Sequence, residues 1–127
     1  MKPYDYLKTS AQFDEWLDGL KSPATQARIT GRAERARETG YLGDHHGVKG
    51  ADGIGEMRLD FGPGYRLYYT AWEYRGRTLL LLVGGDKSTQ RRDIGKAKAI
   101  LASAKAEAER EIDEEIRKRE EEQRGKR

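Results

Sequence analysis

The sequence predicts an α+β domain: a small antiparallel sheet packed against helices in the order β-α-α-β-β-β-α, with an extended charged C-terminal helix. Two segments, Glu56–Phe61 and Tyr65–Tyr74, alternate apolar and polar residues with the period of a β-strand. Residues 11–20 and 24–38 instead repeat their apolar residues at helical spacing. Residues 102–127 are rich in Ala, Glu, Lys and Arg, which favours a long helix. We therefore expect helices on one side of a single small sheet.

The first three predicted elements are a short strand and two helices. Tyr4–Thr9 alternates enough to form the strand. Ser10 follows it and is a suitable N-cap for the first helix. Ser22 is a suitable N-cap for the second helix, because Pro23 then occupies the favoured first helical position.

A glycine-rich loop and a hairpin come next. Residues 39–55 contain six glycines and show no sustained period, so they are predicted to be loop. Gly62–Gly64 is predicted to connect the two hairpin strands, with Phe61 facing Tyr65. One face of the hairpin is then apolar. The other face carries the polar set Glu56, Arg58, Asp60, Arg66, Tyr68 and Thr70.

The last strand and the last helix meet at a pair of glycines. Thr78–Val83 is apolar without alternation, which predicts a central strand covered on both faces. Gly84 and Gly85 are predicted to turn the chain, and Ser88 or Thr89 to cap a helix from about residue 90. These elements divide the chain into a domain of residues 1–101 and a charged helical extension of residues 102–127.

Composition restricts the classes of function. The 127 residues carry a net charge of +3, and residues 1–101 hold 17 Lys and Arg against 13 Asp and Glu. This basic excess is typical of a domain with a polyanionic partner. There is no cysteine, no long apolar run and no secretory signal, so we expect a cytoplasmic protein without disulfides or a membrane span.

The junction sequence GGDKST, residues 84–89, allows three interpretations. A phosphate-binding P-loop needs Gly directly before the Lys, but Asp86 precedes Lys87 and would repel phosphate. A simple strand-to-helix corner explains every residue. In the third interpretation, the helix N-terminus with Lys87, Arg91 and Arg92 forms an anion-binding rim.

The predicted hairpin favours the third interpretation. Arg58 and Arg66 project from its polar face, Tyr68 lies on the same face, and Lys49 precedes it on the loop. Cations that hold a phosphate backbone, beside a ring that stacks on an unpaired base, are typical of RNA-binding surfaces. We therefore predict Tyr68, Arg91 and Arg92 as RNA-binding residues.

Three motifs give the chain a resemblance to a known family. The segments are K-x-x-x-G-x-G-E-x-R from Lys49, GPGYR-x-YY from Gly62 and GGDKSTQ-x-x-DI from Gly84. In this combination the sequence resembles toxins of the RelE/ParE superfamily, and more narrowly the HigB-like branch called addiction module killer protein. The resemblance covers about residues 1–101, whereas residues 102–127 depart from the family.

The resemblance implies a RelE-like, microbial-RNase-like fold and a cytoplasmic type II toxin. Its expected partners are a cognate helix-turn-helix antitoxin and mRNA on the ribosome, and its expected activity is metal-independent endoribonuclease cleavage that blocks translation. No cofactor, metal or membrane partner is expected. Two alternatives stay open: inhibition of DNA gyrase, as in the ParE branch, and a non-catalytic interaction protein on the same fold.

Cleavage through the 2′-hydroxyl needs a base, an acid and cations that stabilise the pentacoordinate phosphate. The resemblance implies that Arg58 and Arg66 stabilise the phosphate. It makes Lys49 and Lys87 candidates for proton transfer or phosphate binding. Other roles are open for each: Arg58 can pair with a neighbouring acid, Lys49 can be an ordinary loop residue, and Lys87 can contact the antitoxin.

The remaining ionisable groups have simpler interpretations. Glu56 is expected to orient an arginine rather than act as acid or base. His45 and His46 would suit proton transfer, but they are expected to be exposed residues of the loop far upstream of Glu56–Leu59 in the sequence. No His or carboxylate spacing predicts a metal site. The extension is expected to be a solvated helix, with a partner helix along Ile112 and Ile116 as the alternative.

Overall fold

The computed structural model describes residues 3–125 and contains five strands and three α-helices. Their bounds are β1 Tyr6–Thr9, α1 Ala11–Asp18, α2 Pro23–Thr39, β2 His45–Gly47, β3 Gly55–Arg58, β4 Tyr65–Glu73, β5 Arg77–Asp86 and α3 Gln90–Gly125, with a short 3-10 turn at Lys87–Thr89 before α3. The predicted α+β class and the long C-terminal helix are confirmed. The predicted element order lacked β2.

All five strands form one mixed sheet in the order β1-β5-β4-β3-β2. β1 runs parallel to β5, from Tyr6 opposite Thr78 to Thr9 opposite Leu81, and the other neighbouring pairs are antiparallel. The prediction of a purely antiparallel sheet is therefore wrong. The first strand, β1, pairs with the edge of β5 that β4 does not occupy. Local sequence patterns cannot predict a pairing between strands so far apart in the chain.

Helices cover both faces of the sheet, so the prediction that they lie on one side is wrong. On one face, Phe13 of α1 and Ile29 of α2 pack on a cluster that includes Met57, Leu67 and Leu79. On the other face, α3 and the segment between β2 and β3 pack on a second cluster. Its buried members are Ala51, Ile54, Tyr68, Leu80, Leu82, Val83, Ala97 and Leu101.

The predicted N-caps of α1 and α2 are confirmed, and α3 begins at Gln90 as predicted, but its predicted cap, Ser88 or Thr89, is wrong. The Ser10 hydroxyl accepts a hydrogen bond from the Phe13 amide at 2.9 Å, which caps α1. The Ser22 hydroxyl accepts one from Thr25 at 3.2 Å, with Pro23 at the start of α2. Before α3, Asp86 rather than Ser88 caps the chain, because its carboxylate accepts from the Ser88 amide at 2.8 Å.

The β3–β4 hairpin differs from the prediction in register. Met57 lies opposite Leu67, and the Leu59 amide bonds to the Tyr65 carbonyl at 2.9 Å, so the connection has five residues, 60–64, rather than three. A shift of two residues keeps each side chain on its predicted face. The apolar face therefore packs on α1 and α2 as expected, while cross-strand partners change.

The glycine pair does not turn the chain. Gly84 and Gly85 lie inside β5, opposite Leu67 and Arg66 of β4. A Cβ at Gly84 would collide with the Trp16 ring, and one at Gly85 would collide with the Asp93 carboxylate. The two glycines therefore allow close approach by a helix residue from each face of the strand.

Helix α3 continues without a break from residue 90 to residue 125. Ala108 is still buried, the Tyr74 hydroxyl donates to Glu111 at 2.7 Å, and Arg75 pairs with Glu115. The helix is thus attached to the β4–β5 turn as far as Glu115. Within residues 3–125, no helix is both long enough and apolar enough to cross a bilayer.

Candidate functional site

The carboxylate of Glu56 is the centre of a polar cluster on the α3 face of the sheet. Oε1 of Glu56 accepts hydrogen bonds from Arg58 Nε at 2.9 Å and from Nη1 of Arg66. Its other oxygen, Oε2, accepts from Gln90 Nε2 of α3 at 3.1 Å. Glu56 and Arg66 are buried, and the Arg58 side chain is 41% exposed.

Strand pairing creates this cluster. Arg58 of β3 lies directly opposite Arg66 of β4, so both side chains leave the sheet on the same face. Two like charges in direct opposition destabilise a strand pair, and the shared Glu56 carboxylate offsets this repulsion. Two guanidinium groups on one carboxylate leave one positive charge in excess, next to solvent. We call Arg58, Arg66 and Lys87 the cationic face.

The arginines also control the ionisation of Glu56. Burial alone would raise the pKa of this carboxyl group. The hydrogen bonds from Arg58, Gln90 and Arg66 outweigh burial and hold the pKa below its ordinary value. Glu56 is therefore an ionised acceptor at neutral pH, which is the orienting role predicted for it.

Tyr68 lies beneath the cluster rather than on its surface. Its side chain has no exposed area, because α3 and the segment between β2 and β3 cover it. A ring with no exposed face cannot stack on a base, so the structure does not support the predicted stacking role. Burial and the nearby Glu56 and Asp93 carboxylates raise the pKa of Tyr68 far above its ordinary value.

Two buried polar atoms of the cluster lack hydrogen-bond partners within the described residues, the Tyr68 hydroxyl and Arg66 Nε. Such atoms are rare in folded proteins, because leaving a buried donor unpaired costs about 1–3 kcal/mol. The cluster therefore has unused hydrogen-bonding capacity just below the cationic face.

Strand β2 brings a histidine to this site that the sequence patterns did not place there. His46 lies directly opposite Glu56, and His45 lies opposite Met57, so the two histidines face opposite sides of the sheet. Nε2 of His46 is 3.2 Å from Asp44 Oδ1, and the His46 side chain is 54% exposed. Both histidines are exposed, as predicted, but they lie on a strand paired with β3 rather than on a loop.

The sequence did contain one signal for this pairing. The segment DHHG, residues 44–47, can fold back antiparallel on residues 55–58 through the seven residues between β2 and β3. That signal is weak, because three polar or small residues carry no apolar alternation.

The two predicted lysines lie at opposite ends of the site. Lys87 follows Asp86, which is opposite Tyr65, so it stands at the same end of the sheet as Arg58 and Arg66. It forms no ion pair within residues 3–125. Lys49 is exposed on the turn before β3, at the end opposite Arg58, on the order of 10 Å away along the strand. The structure therefore groups Lys87 with the arginines and separates Lys49 from them.

The two predicted RNA-binding arginines of α3, Arg91 and Arg92, are both exposed but have different surroundings. Arg91 is exposed, and Arg92 is exposed with its Nε 3.8 Å from Asp93 Oδ1. Arg92 lines a cavity of about 700 Å³ between α1 and α3, which contains neither Arg58 nor Arg66. This cavity and the cationic face are thus separate.

Asp93 is a buried carboxylate, and Gly85 of β5 leaves room for it. It is 3% exposed and accepts a hydrogen bond from the Thr89 hydroxyl at 2.5 Å. Its position above Gly85 requires the missing side chain at that residue. Thr89, Gln90 and Asp93 therefore link the start of α3 to both the cavity and the Glu56 cluster.

This arrangement combines an excess of positive charge with a neighbouring imidazole. Guanidinium groups bind phosphate oxygens with two parallel hydrogen bonds, and an exposed imidazole can accept or donate a proton near neutral pH. No group of three or more His, Asp or Glu side chains within residues 3–125 is arranged to hold a metal ion.

Comparison with known proteins identifies a relative. No protein-family model matches the chain. An uncharacterized protein of Haemophilus influenzae is 44% identical over 94 residues, which cover 74% of this chain and 90% of that protein.

Proposed function

The chain belongs to the same family as this uncharacterized Haemophilus influenzae protein, and from the chemistry of the cationic face we propose that it is a type II toxin of the RelE/ParE superfamily, HigB-like branch. Its activity is ribosome-dependent cleavage of mRNA in the cytoplasm, and a helix-turn-helix antitoxin neutralises it. The observation that carries the proposal is the pairing of Arg58 with Arg66 around one carboxylate. The excess positive charge supports phosphate binding.

In this mechanism the arginines bind the scissile phosphate. Arg58 is partly exposed and makes the direct contact, whereas Arg66 is held deeper by Glu56. Negative charge on the phosphate grows as the 2′-oxygen attacks, so fixed guanidinium groups stabilise the transition state more than the ground state. Lys87, which has no carboxylate partner within the described residues, adds a third cation at the same end of the sheet.

Proton transfer falls to the imidazole of His46. Glu56 is unsuited to it, because its oxygens already accept from Arg58, Arg66 and Gln90. His46 stands beside Glu56, is exposed, and is oriented by Asp44. It can take the proton of the 2′-hydroxyl or give one to the leaving 5′-oxygen. Lys87 is the candidate for the other transfer, and Lys49 stays a prediction.

One observation favours a second function, in which the chain acts by binding alone. Both arginines are already hydrogen-bonded to Glu56, which is also what a structural cluster would show. A gyrase-directed toxin and a non-catalytic interaction protein both fit this interpretation.

Induced expression followed by mapping of cellular RNA ends separates these functions. We expect growth arrest with new 5′ ends inside translated codons, and their loss when translation initiation is blocked. Linearised plasmid DNA with intact messages would instead identify gyrase poisoning. Normal growth with intact RNA and DNA would leave only the interaction protein.

A further inference from the structure

Helix α2 carries a row of arginines, which we call the α2 stripe: Arg28, Arg32 and Arg35. Because they are four and three residues apart, their side chains leave the same side of the helix. None of the three forms an ion pair within residues 3–125. The acidic residues of α2, Glu34 and Glu38, both pair with Arg37 instead. No carboxylate therefore neutralises the α2 stripe by direct contact.

The two outer arginines of the α2 stripe each lie over an aromatic ring. The guanidinium carbon of Arg28 is 3.7 Å from the centroid of the Phe61 ring, and that of Arg35 is 5.3 Å from the centroid of the Tyr41 ring. A guanidinium group held over a ring still presents N–H donors at its edge. Both arginines are exposed, so these donors are accessible to an anion.

Arg32 attaches the middle of the α2 stripe to the end of β3. Its Nη2 donates to the Leu42 carbonyl at 2.6 Å, and its Nη1 donates to the Arg58 carbonyl at 3.4 Å. A Cβ at Gly43 would lie 2.0 Å from Nη2, so glycine allows this close approach. Carbonyl groups accept these hydrogen bonds without a net charge, and Arg32 therefore keeps its full positive charge.

The turn of residues 60–64 connects the α2 stripe to the cationic face. Phe61 of this turn lies under Arg28. At the other end of the turn, a Cβ at Gly64 would lie 3.7 Å from the Cβ of Lys87. The same turn joins β3 and β4, the strands that carry the two arginines of the cationic face. Cations therefore flank the end of the hairpin from α2 to the start of α3.

We propose that single-stranded RNA binds the α2 stripe, with backbone phosphates on Arg28 and Arg35 and an unpaired base on Tyr41. Guanidinium groups bind phosphate oxygens with two parallel hydrogen bonds, and stacking of bases on aromatic rings is common in proteins that bind single strands. Tyr41 is 60% exposed, so its ring can accept a base beside Arg35. Asp60, the acidic residue of the 60–64 turn, is exposed and pairs with no cation within residues 3–125.

The shape of the surface favours a single strand. The cationic face lies on the α3 side of the sheet, whereas α2 packs on the other side. A duplex is stiff over about 150 base pairs and cannot bend around the end of one hairpin, but a single strand can. An acidic peptide would supply negative charge but no base for Tyr41. The choice of RNA over DNA rests on the proposed function, whereas the binding surface goes beyond it and requires no cleavage.

The test measures binding of the full chain to a labelled twelve-nucleotide RNA whose 2′-oxygens are methylated, so that it cannot be cleaved. Fluorescence anisotropy gives the affinity at about 50–200 mM salt, where each phosphate contact on a single strand adds about 0.7 to the slope of log affinity against log salt. We expect Arg28→Gln and Arg35→Gln each to reduce this slope by about 0.7, and the double variant by about 1.4. Tyr41→Ala should lower the affinity about fivefold without changing the slope.

Arg37→Gln is the matched control, because it removes the same charge from the same helix at a residue already paired with Glu34 and Glu38. Its slope should equal that of the parent. No RNA binding, an unchanged slope in the double variant, equally tight binding of a polyglutamate peptide of the same charge, or tighter binding of DNA of the same sequence would each overturn the proposal. The expected slopes in a chain that cuts no message in cells would support the α2 surface and reject the proposed nuclease.

Discussion

His46 on β2 is the direct cross-strand partner of Glu56 on β3, so the imidazole and the carboxylate leave the sheet on the same face. His45, the next residue, faces the other side, opposite Met57. Two adjacent residues of the same type thus stand in different environments, and the chain contains its own control for a role in proton transfer.

We expect His46→Gln to lower the rate of mRNA cleavage by about 10²–10⁴-fold, the usual contribution of a general acid or base. His45→Gln should leave the rate unchanged, because its imidazole is hydrogen-bonded to the Gly43 carbonyl at 2.8 Å on the other face. The measurement is single-turnover cleavage of mRNA on translating ribosomes. Equal rates for the two variants would remove His46 from the mechanism.

Arg58→Ala should lower the cleavage rate by about 10²–10³-fold, because one fixed cation at the phosphate is lost. The fold should persist, because Arg66 stays paired with Glu56. Arg75→Ala is the matched control, since Arg75 is also exposed and paired with one glutamate, Glu115, but lies at the far turn. Growth arrest and in vitro cleavage report the effect, and a stable but fully active Arg58→Ala protein would argue for the binding-only function.

Glu56 makes stability depend on acidity. The pKa of Glu56 in the folded protein lies below the unfolded value of about 4.3. Its contribution to the free energy of unfolding is therefore complete above about pH 4.3 and is lost as the pH falls through the folded pKa. Glu56→Gln, which leaves Arg66 buried without its carboxylate, should cost about 3–5 kcal/mol at pH 7. The cost should shrink near pH 3. Urea unfolding at both pH values tests this, and a cost independent of pH would contradict it.

Gly85→Ala should destabilise the protein by about 1–3 kcal/mol, because the added methyl group collides with the buried Asp93 carboxylate. Gly95→Ala is the control in α3: nothing lies near its missing side chain, so the change should stabilise by about 1 kcal/mol. Denaturant midpoints measure both. A neutral Gly85→Ala variant would mean that Asp93 moves away without loss.

The charged extension should stabilise the fold only as far as Glu115. Removal of residues 116–127 should leave the melting temperature unchanged, because within residues 3–125 the hydrogen bonds and ion pairs between α3 and the β4–β5 turn end at Glu115. Removal of residues 105–127 should lower it, because buried Ala108 and the contacts of Tyr74 and Arg75 are lost. Thermal unfolding by circular dichroism compares the two. If both truncations match the parent, the helix makes no stabilising contact there.

Sequence patterns correctly predicted the features that depend on residues close together in the chain. The capping serines Ser10 and Ser22, the faces of the β3–β4 hairpin and the start of α3 near Gln90 all follow from residues a few positions apart. Arg58 and Arg66 could be placed on one face from alternation alone, and Glu56 could be assigned to them by proximity.

The rest depends on contacts between distant parts of the chain. The parallel pairing of β1 with β5 and the burial of Tyr68 beneath α3 arise from packing that no local period encodes. The short strand at His45–Gly47 lacks apolar residues, so apolar–polar alternation could not predict its pairing with β3. Gly84 and Gly85 were predicted to form a turn but lie inside β5. Glycine is common both in turns and where side chains pack closely on a strand, so the sequence alone did not distinguish the two.

The pairing of the first strand with the last sets an order of events during synthesis. Asp5 and Arg77, which are hydrogen-bonded beside the start of β1, are 72 residues apart. At about 5–20 residues per second, a ribosome needs roughly 4–14 s between them. The hairpin that carries both arginines emerges before β5, whereas Lys87 and Gln90 arrive after it. A nascent chain therefore carries its first strand without its partner strand for seconds, and its cationic face is complete only after β5 has been made.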